Sequence, residues 1–223
     1  MLVYDAIVKA TLEVPFWCSF RMPTAVNYHP TYPVPPITTV YGMIACAMGW
    51  PSDNYLEFEN LKIGIAIVDS GDRIDAYSRI IKWDRRDKNM RTLLMRHKLL
   101  QPVYQIFVKG EKILIENIAK ALVEPFFPLY LGESDDIVEI KDVKVFPVQK
   151  VSTLKVNSIL PQEMGRPINK VELVHLPVGF LAEELGKKRV WSGVNYQGYY
   201  IAEEIILDTP VEAYQLGEMR VVM

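Results

Sequence analysis

Apolar positions in this chain fall into short runs that switch between a period of two and a period near 3.6. Leu2–Leu12 alternates weakly and is rich in β-branched residues, which predicts a first strand. Pro15–Pro36 shows no clear period and holds six of the chain's fifteen prolines. Irregular segments of about 20 residues are uncommon inside a compact domain and are usually functional or disordered. The aromatics Phe16, Trp17, Phe20, Tyr28 and Tyr32 argue for an ordered loop that packs or binds something. Core packing is expected for at least two of Phe16, Trp17 and Phe20.

A helix is predicted next, starting at Thr38 or Thr39 as the capping residue and ending at Gly49. Val40, Ile44 and Met48 line its apolar face, with Met43 and Ala47 beside them, and Gly42 is expected to admit a neighbouring backbone. Leu61–Asp69 reads as a buried strand with Ile63, Ile65 and Ile67 on one face. Ser70-Gly71-Asp72 reads as a turn and Arg73–Trp83 as a returning strand. Residues 84–100 read as an insertion, since the middle of this stretch has little periodicity. Pro102–Lys109 is a further strand, broken at Gly110, and Ile115, Ile118, Ala119 and Leu122 mark a second helix stopped by Glu124-Pro125. Phe126–Asp136 reads as a loop and Ile137–Val148 as a strand.

Two helices interleaved with a small sheet in this order predict a ferredoxin-like α+β domain, the fold type of RNA-recognition modules (RRM-like), over residues 1–148. Residues 149–223 are strand-rich, with candidates at Lys170–Leu176, Arg189–Val194 and Tyr199–Leu207. They form either a smaller β subdomain or an extension of the same sheet. Tyr104 and Phe107 are an odd number of residues apart and are predicted on opposite faces of their strand. That spacing does not support base stacking on an open sheet.

Composition narrows the class. Half of the 223 residues are apolar and 23% are charged, the profile of a soluble globular protein. Cys18 and Cys46 alone build no disulfide framework and read as reduced thiols of a cytosolic protein. His29, His97 and His175 are scattered, with no HxxxH or HExxH spacing, so no metal and no cofactor is expected. The start Met1–Asp5 does not read as a signal peptide. No charge occurs from Met22 to Ser52, but the prolines leave a helix-capable run of only about 12 residues, and a span needs about 20.

Net charge is −2, which at first argues against a nucleic-acid partner. Its partition argues the other way. Between Arg79 and Lys98 lie Arg79, Lys82, Arg85, Arg86, Lys88, Arg91, Arg96 and Lys98, with Asp84 and Asp87 as the only acids. This tract carries +6 and the remainder −8. A basic segment with Trp83 at its root suits a nucleic-acid backbone, where each neutralised phosphate releases counterions. The plainer readings are a solvated charged hairpin, or a protein-interaction module with no RNA contact.

Two segments carry a resemblance. Tyr32-Pro33-Val34-Pro35-Pro36-Ile37-Thr38-Thr39-Val40-Tyr41-Gly42-Met43-Ile44, with Ala47 and Gly49 after it, resembles the N-terminal signature of the CRISPR-associated "Cas five" family. Phe127-Pro128-Leu129-Tyr130-Leu131-Gly132-Glu133-Ser134-Asp135-Asp136 resembles that family's second signature, about 85 residues later. The likeness covers residues 1–148 well and the C-terminal third only loosely. These are RAMP-superfamily subunits of Cascade-type interference complexes, and the resemblance implies a ferredoxin-like palm with an inserted basic hairpin thumb, falling at about residues 84–100. It implies a cytoplasmic antiviral-defence protein that holds the 5′ handle of the CRISPR RNA and caps one end of a type I complex. The implied partners are the backbone RAMP subunit and the large subunit, with target DNA near the thumb.

On this reading the candidate RNA-binding residues are Arg21, Tyr32 and Tyr41, then Trp83, Arg85, Arg86, Lys88, Arg91, Arg96, His97 and Lys98 of the basic tract. Gly132, Glu133 and Ser134 complete the set, in a loop whose backbone amides would meet phosphate. A plain turn leaving the second helix is the alternative for that loop. One branch of the family cleaves repeat RNA without metal, chemistry suited to His, Lys and Tyr. His97 and Lys98, with Tyr77 or Tyr41, are the candidates, but neighbours on a strand point to opposite faces. A non-catalytic subunit is therefore expected; the alternative is a metal-independent endoribonuclease processing CRISPR repeat RNA.

Overall fold

A computed structural model describes residues 4–24, 28–51, 60–81, 91–185 and 188–223, and for residues 182–192 the backbone only. The chain runs β1 (Asp5–Glu13), β2 (Trp17–Cys18), β3 (Tyr28–His29), α1 (Ile37–Met48), β4 (Lys62–Asp69), β5 (Asp72–Ile81) and β6 (Arg91–Leu100). It continues with β7 (Val103–Glu111), α2 (Lys112–Val123), β8 (Glu139–Pro147), β9 (Lys150–Val156) and β10 (Leu160–Pro161). After a 3-10 turn at Gln162–Met164 come β11 (Glu172–Leu185), β12 (Lys188–Ile201), β13 (Ile205–Leu216) and β14 (Met219–Val221). The protein is α+β and mostly β-sheet with two helices.

The first sheet has the order β4-β7-β1-β8, with every pairing antiparallel. Both of its faces are covered, which explains why β1 alternates only weakly in sequence. Ala6, Val8, Ala10 and Leu12 pack with Val40 and Ile44 of α1 and with Ile115, Ile118 and Leu122 of α2. On the opposite face Ile7, Ala66 and Phe107 pack with Tyr214, Leu216 and Val221. Tyr104 belongs to the helix-side core and Phe107 to the other, as their odd spacing predicts. Among the described residues, the central strands β1 and β7 leave no open face for stacking bases.

Helix α1 ends at Gly49 in the left-handed conformation (φ 67°), where a Cβ would lie 2.7 Å from the Phe126 ring. Its start differs from expectation. Ile37 is already helical, Pro36 stands at the N-cap, and no threonine caps the turn. The Pro36 carbonyl itself accepts from the Thr39 and Val40 amides at 2.9 and 3.1 Å, so the backbone closes the first turn. Gly42 also departs from its prediction: a Cβ there would meet nothing within 4 Å, so no backbone approaches it.

The stretch 84–100 is not irregular throughout. From Arg91 onward it is strand β6, paired with β5 in unbroken register from Asp72 opposite Leu100 to Ile81 opposite Arg91. The other edge of β6 is held by β2 and β3. Its pattern hides the strand because polarity is inverted: Lys98 is 7% exposed while Leu93 is 63% exposed.

Beyond residue 150, strands β14-β13-β9 and β10-β12-β11 form two further three-stranded sheets rather than widening the first by pairing. The predicted strand Tyr199–Leu207 is split between the end of β12 and the start of β13. Ile159, Val174, Leu176, Tyr199 and Ile201 nevertheless enter the same core as the two helices. Among the described residues, no helix is long and apolar enough to cross a membrane.

Candidate nucleic-acid interface

The loop after α2 is a turn built around one buried carboxylate. Asp136 is fully buried, and its Oδ2 accepts the amides of Ser19 and Glu133 at 2.9 and 2.8 Å. The Leu131 amide donates to the Asp136 carbonyl, and the Asp136 amide donates back to Glu133. Burial pushes the Asp136 carboxyl up to about 6; the two amide bonds oppose this and the nearby Glu133 adds to it. Gly132 sits at φ 77°, where a Cβ would lie 2.3 Å from the Ser19 carbonyl oxygen, so a glycine is required at this crossing. The sequence reading offered this loop's amides to a phosphate. The Glu133 amide is already taken by Asp136, so the turn supplies its own anion. Ser134 is exposed at the apex.

Glu133 reaches from this turn to the β5–β6 hairpin, where it pairs with Arg96 at 2.5 Å. Arg96 and Glu133, both candidate RNA contacts, are thus paired with each other through Nη1 and Oε2, while the buried Arg96 Nε has no hydrogen-bond partner among the described residues. The next residue, His97, meets Asp75 on the facing strand at 2.8 Å and the Tyr28 hydroxyl at Nδ1 (3.1 Å) and Nε2. The Tyr28 and His97 rings sit edge to face, with centroids 4.7 Å apart. Ser19 Oγ donates to the His97 carbonyl at 2.9 Å. Lys98 turns away: its ammonium lies 4.7 Å from the centroid of the Trp17 ring. The phenol that joins His97 is therefore that of Tyr28, which the sequence did not single out for this role.

A cleft of about 440 Å³ opens beside these contacts. Of the candidates, it brings together Arg21, Tyr32, Gly132 and Glu133, with Pro36, Thr38 and Thr39 at the start of α1 on one side. Tyr32 is largely buried, and its phenol is pushed up by burial and then by Tyr196. Tyr41 is not in the lining; its hydroxyl donates to the Leu61 carbonyl at 3.1 Å, and burial pushes its phenol up. Arg91 is exposed at the start of β6. Trp83, Arg85, Arg86 and Lys88 lie outside the described residues.

The aromatic loop also departs from expectation. Phe20 alone of the three is buried, while Phe16 and Trp17 are 58% and 40% exposed and lie 6.1 Å apart. Pairing of β2 with the end of β6 holds this segment at the surface, where Trp17 covers Lys98. Sequence reasoning missed Phe180, Val194 and Tyr196, which line the cleft from β11 and β12. No local motif marks them. Glu133, Asp135 and Asp136 place one oxygen each within 4.8 Å, but Arg96 and two amides already engage two of these carboxylates.

Fold and site together define a mostly β, α+β protein. A loop, a hairpin and a turn are joined by buried and part-buried polar contacts beside an aromatic and cationic cleft. Residues 9–221 match the family model described as CRISPR-associated protein (Cas_Cas5), and the chain belongs to this Cas5 family. The resemblance carried by residues 32–44 and 127–136 thus extends through the C-terminal third. Its fold is similar to that of a chain in a "CRISPR RNA-guided surveillance complex". That chain is 16% identical with a TM-score of 0.60, and the match covers 93% of this chain and 91% of the other. It is also similar to a CRISPR protein from Archaeoglobus fulgidus, at 16% identity and a TM-score of 0.53 over 97% of each chain. No curated protein sequence matches.

Proposed function

We propose that this chain is a non-catalytic, cytoplasmic RNA-binding subunit of a type I Cascade-type CRISPR effector complex, holding the 5′ handle of the guide RNA and capping one end of the assembly. One observation carries the reading: in a Cas5-family chain whose residues 79–98 carry +6, the described ends of that tract, Arg79 on β5 and Arg91 on β6, lie on paired strands inserted in sequence between β4 and β7 of the first sheet. The strand order β4-β7-β1-β8 with both helices on one face supports a ferredoxin-like palm over residues 1–148, with the hairpin as its thumb and residues 149–223 as a β-rich second region. Arg21, Arg91 and the tract's Arg85, Arg86 and Lys88 then meet phosphates, while the acidic remainder meets the backbone and large subunits.

Titration of purified protein with cognate repeat RNA at increasing salt tests this. If about six phosphates are held, log affinity falls with log salt at a slope near −4. A flat response overturns the role of the tract. Replacing Arg85, Arg86, Lys88 and Arg91 together weakens RNA binding; complex assembly with unchanged RNA affinity favours a protein-interaction module instead.

A second reading, metal-independent cleavage of repeat RNA, is favoured by the Tyr28–His97–Asp75 cluster. A histidine set between a carboxylate and a phenol is equipped to take the 2′-OH proton as the 2′-oxygen attacks phosphorus, the P–O5′ bond breaks and the 5′-oxygen takes a proton from water. Against it, the described contacts of both ring nitrogens are to protein groups, which suits a structural pin. Specific cutting of repeat RNA in EDTA, lost in His97→Ala, replaces the first reading with this one.

A further inference from the structure

The β11–β12 hairpin carries two register shifts, and the one between Pro177 and Gly179 lies beside the cleft. Pro177 pairs with Tyr196, Gly179 with Asn195 and Phe180 with Val194, leaving Val178 without an opposite number. Tyr196 and Val194, two apart on β12, share a face. Pro177 and Phe180, three apart on β11, would point to opposite faces of a regular strand. The bulge at Val178 rotates the strand by one residue, so that both line the cleft with Tyr196 and Val194. Bulges of this kind re-aim a side chain beside a site. Here the result is a partly exposed aromatic wall, since Phe180 and Tyr196 are 43% and 46% exposed.

We propose that this cleft receives one unstacked nucleobase of single-stranded RNA, stacked on the hairpin wall of Tyr196 and Phe180, with the adjoining phosphate on Arg21. The inference rests on the RNA-binding reading above and gives the C-terminal region a part in it. At about 440 Å³ the cleft falls within the roughly 300–1,000 Å³ of small-molecule sites. Unpaired RNA bases are recognised by splaying out onto aromatic faces, with Arg alongside. Charge agrees. Arg21 is exposed at the rim, the acid Glu133 is occupied by Arg96, and the first turn of α1 carries no acidic residue.

The test uses cognate-repeat RNAs carrying 2-aminopurine at one position each, titrated with the full chain. One position is expected to show fluorescence quenched several-fold on binding. Tyr196→Ala and Phe180→Ala should abolish that quench and weaken binding about tenfold. Tyr196→Phe should keep both, and Arg21→Ala should weaken binding while keeping the quench. Both aromatics are half exposed, so thermal melts of the variants are expected to match the parent. RNA binding by the parent with no position-dependent quench, or with affinity unchanged in both alanine variants, overturns this inference and leaves the RNA-binding subunit standing. Intact RNA binding with loss of assembly assigns the wall to a protein partner and also overturns it. Failure of the parent chain to bind any of the RNAs overturns the RNA-binding reading itself.

Discussion

Two long hairpins, β5–β6 and β11–β12, are anchored by different physics, and of the two only β11–β12 lines the cleft among the described residues. The base of β11–β12 is held by burial: Val174, Leu176, Tyr199 and Ile201 enter the core shared with α1 and α2. Strand β6 does bury Leu94 and Leu99, but it also carries the part-buried Arg96 and His97 and the buried Lys98, which alternate between its faces. They are fixed by Glu133, by Asp75 and Tyr28, and by the Trp17 ring. Apolar burial is non-directional and is not screened by salt, whereas ion pairs demand geometry and are weakened by salt screening and by pH. An apolar base suits a wall that stays in place. A polar base anchors β6 near its end, while Arg91 at its start stays exposed.

The contrast can be broken most strongly at Leu176, which is fully buried. Leu176→Ala should cost about 3 kcal/mol in denaturant unfolding, with little dependence on salt. Asp136→Ala should follow at about 2 kcal/mol, because it strips the acceptor from the buried amides of Ser19 and Glu133 and unpins the turn from the loop.

The same residue sets a pH dependence. Its carboxyl stands at about 6 in the fold against an ordinary value of 3.8. Between those values the folded state binds more protons than the unfolded one, so the stabilising contribution is full below about pH 4 and lost as pH rises to about 6. Denaturant midpoints across this interval should fall for the parent and not for Asp136→Asn. Arg96→Ala should cost about 1 kcal/mol at low salt and less in 1 M salt, which separates the polar anchor from the apolar one. Smallest of all, Tyr77→Ser on the exposed face of β5 should stay within about 0.5 kcal/mol.

Local patterns made much of the first region legible. The end of α1 at Gly49, the apolar faces of α1 and α2, and the opposite orientations of Tyr104 and Phe107 all follow from period and turn chemistry acting over a few residues. Strand β6 was half hidden because its buried lysine and exposed leucine invert the usual pattern. The start of α1 was misplaced because a proline carbonyl, not a threonine side chain, closes its first turn. Phe16 and Trp17 lie outside because pairing with β6 holds them there, a contact across most of a hundred residues.

The sequence by itself determined the family, the mixed α+β class and the partition of a −2 total into a +6 tract and a −8 remainder. Only the tertiary structure decided which polar groups are spent inside the protein. It alone shows that Glu133 holds Arg96, that Asp136 fills the turn's own amides, and that Arg21 and Tyr196 share one cleft. Periodicity and propensity act within one element, whereas these pairings depend on how distant elements pack. A bulge at Val178, invisible without its partner strand, aims the wall of the site.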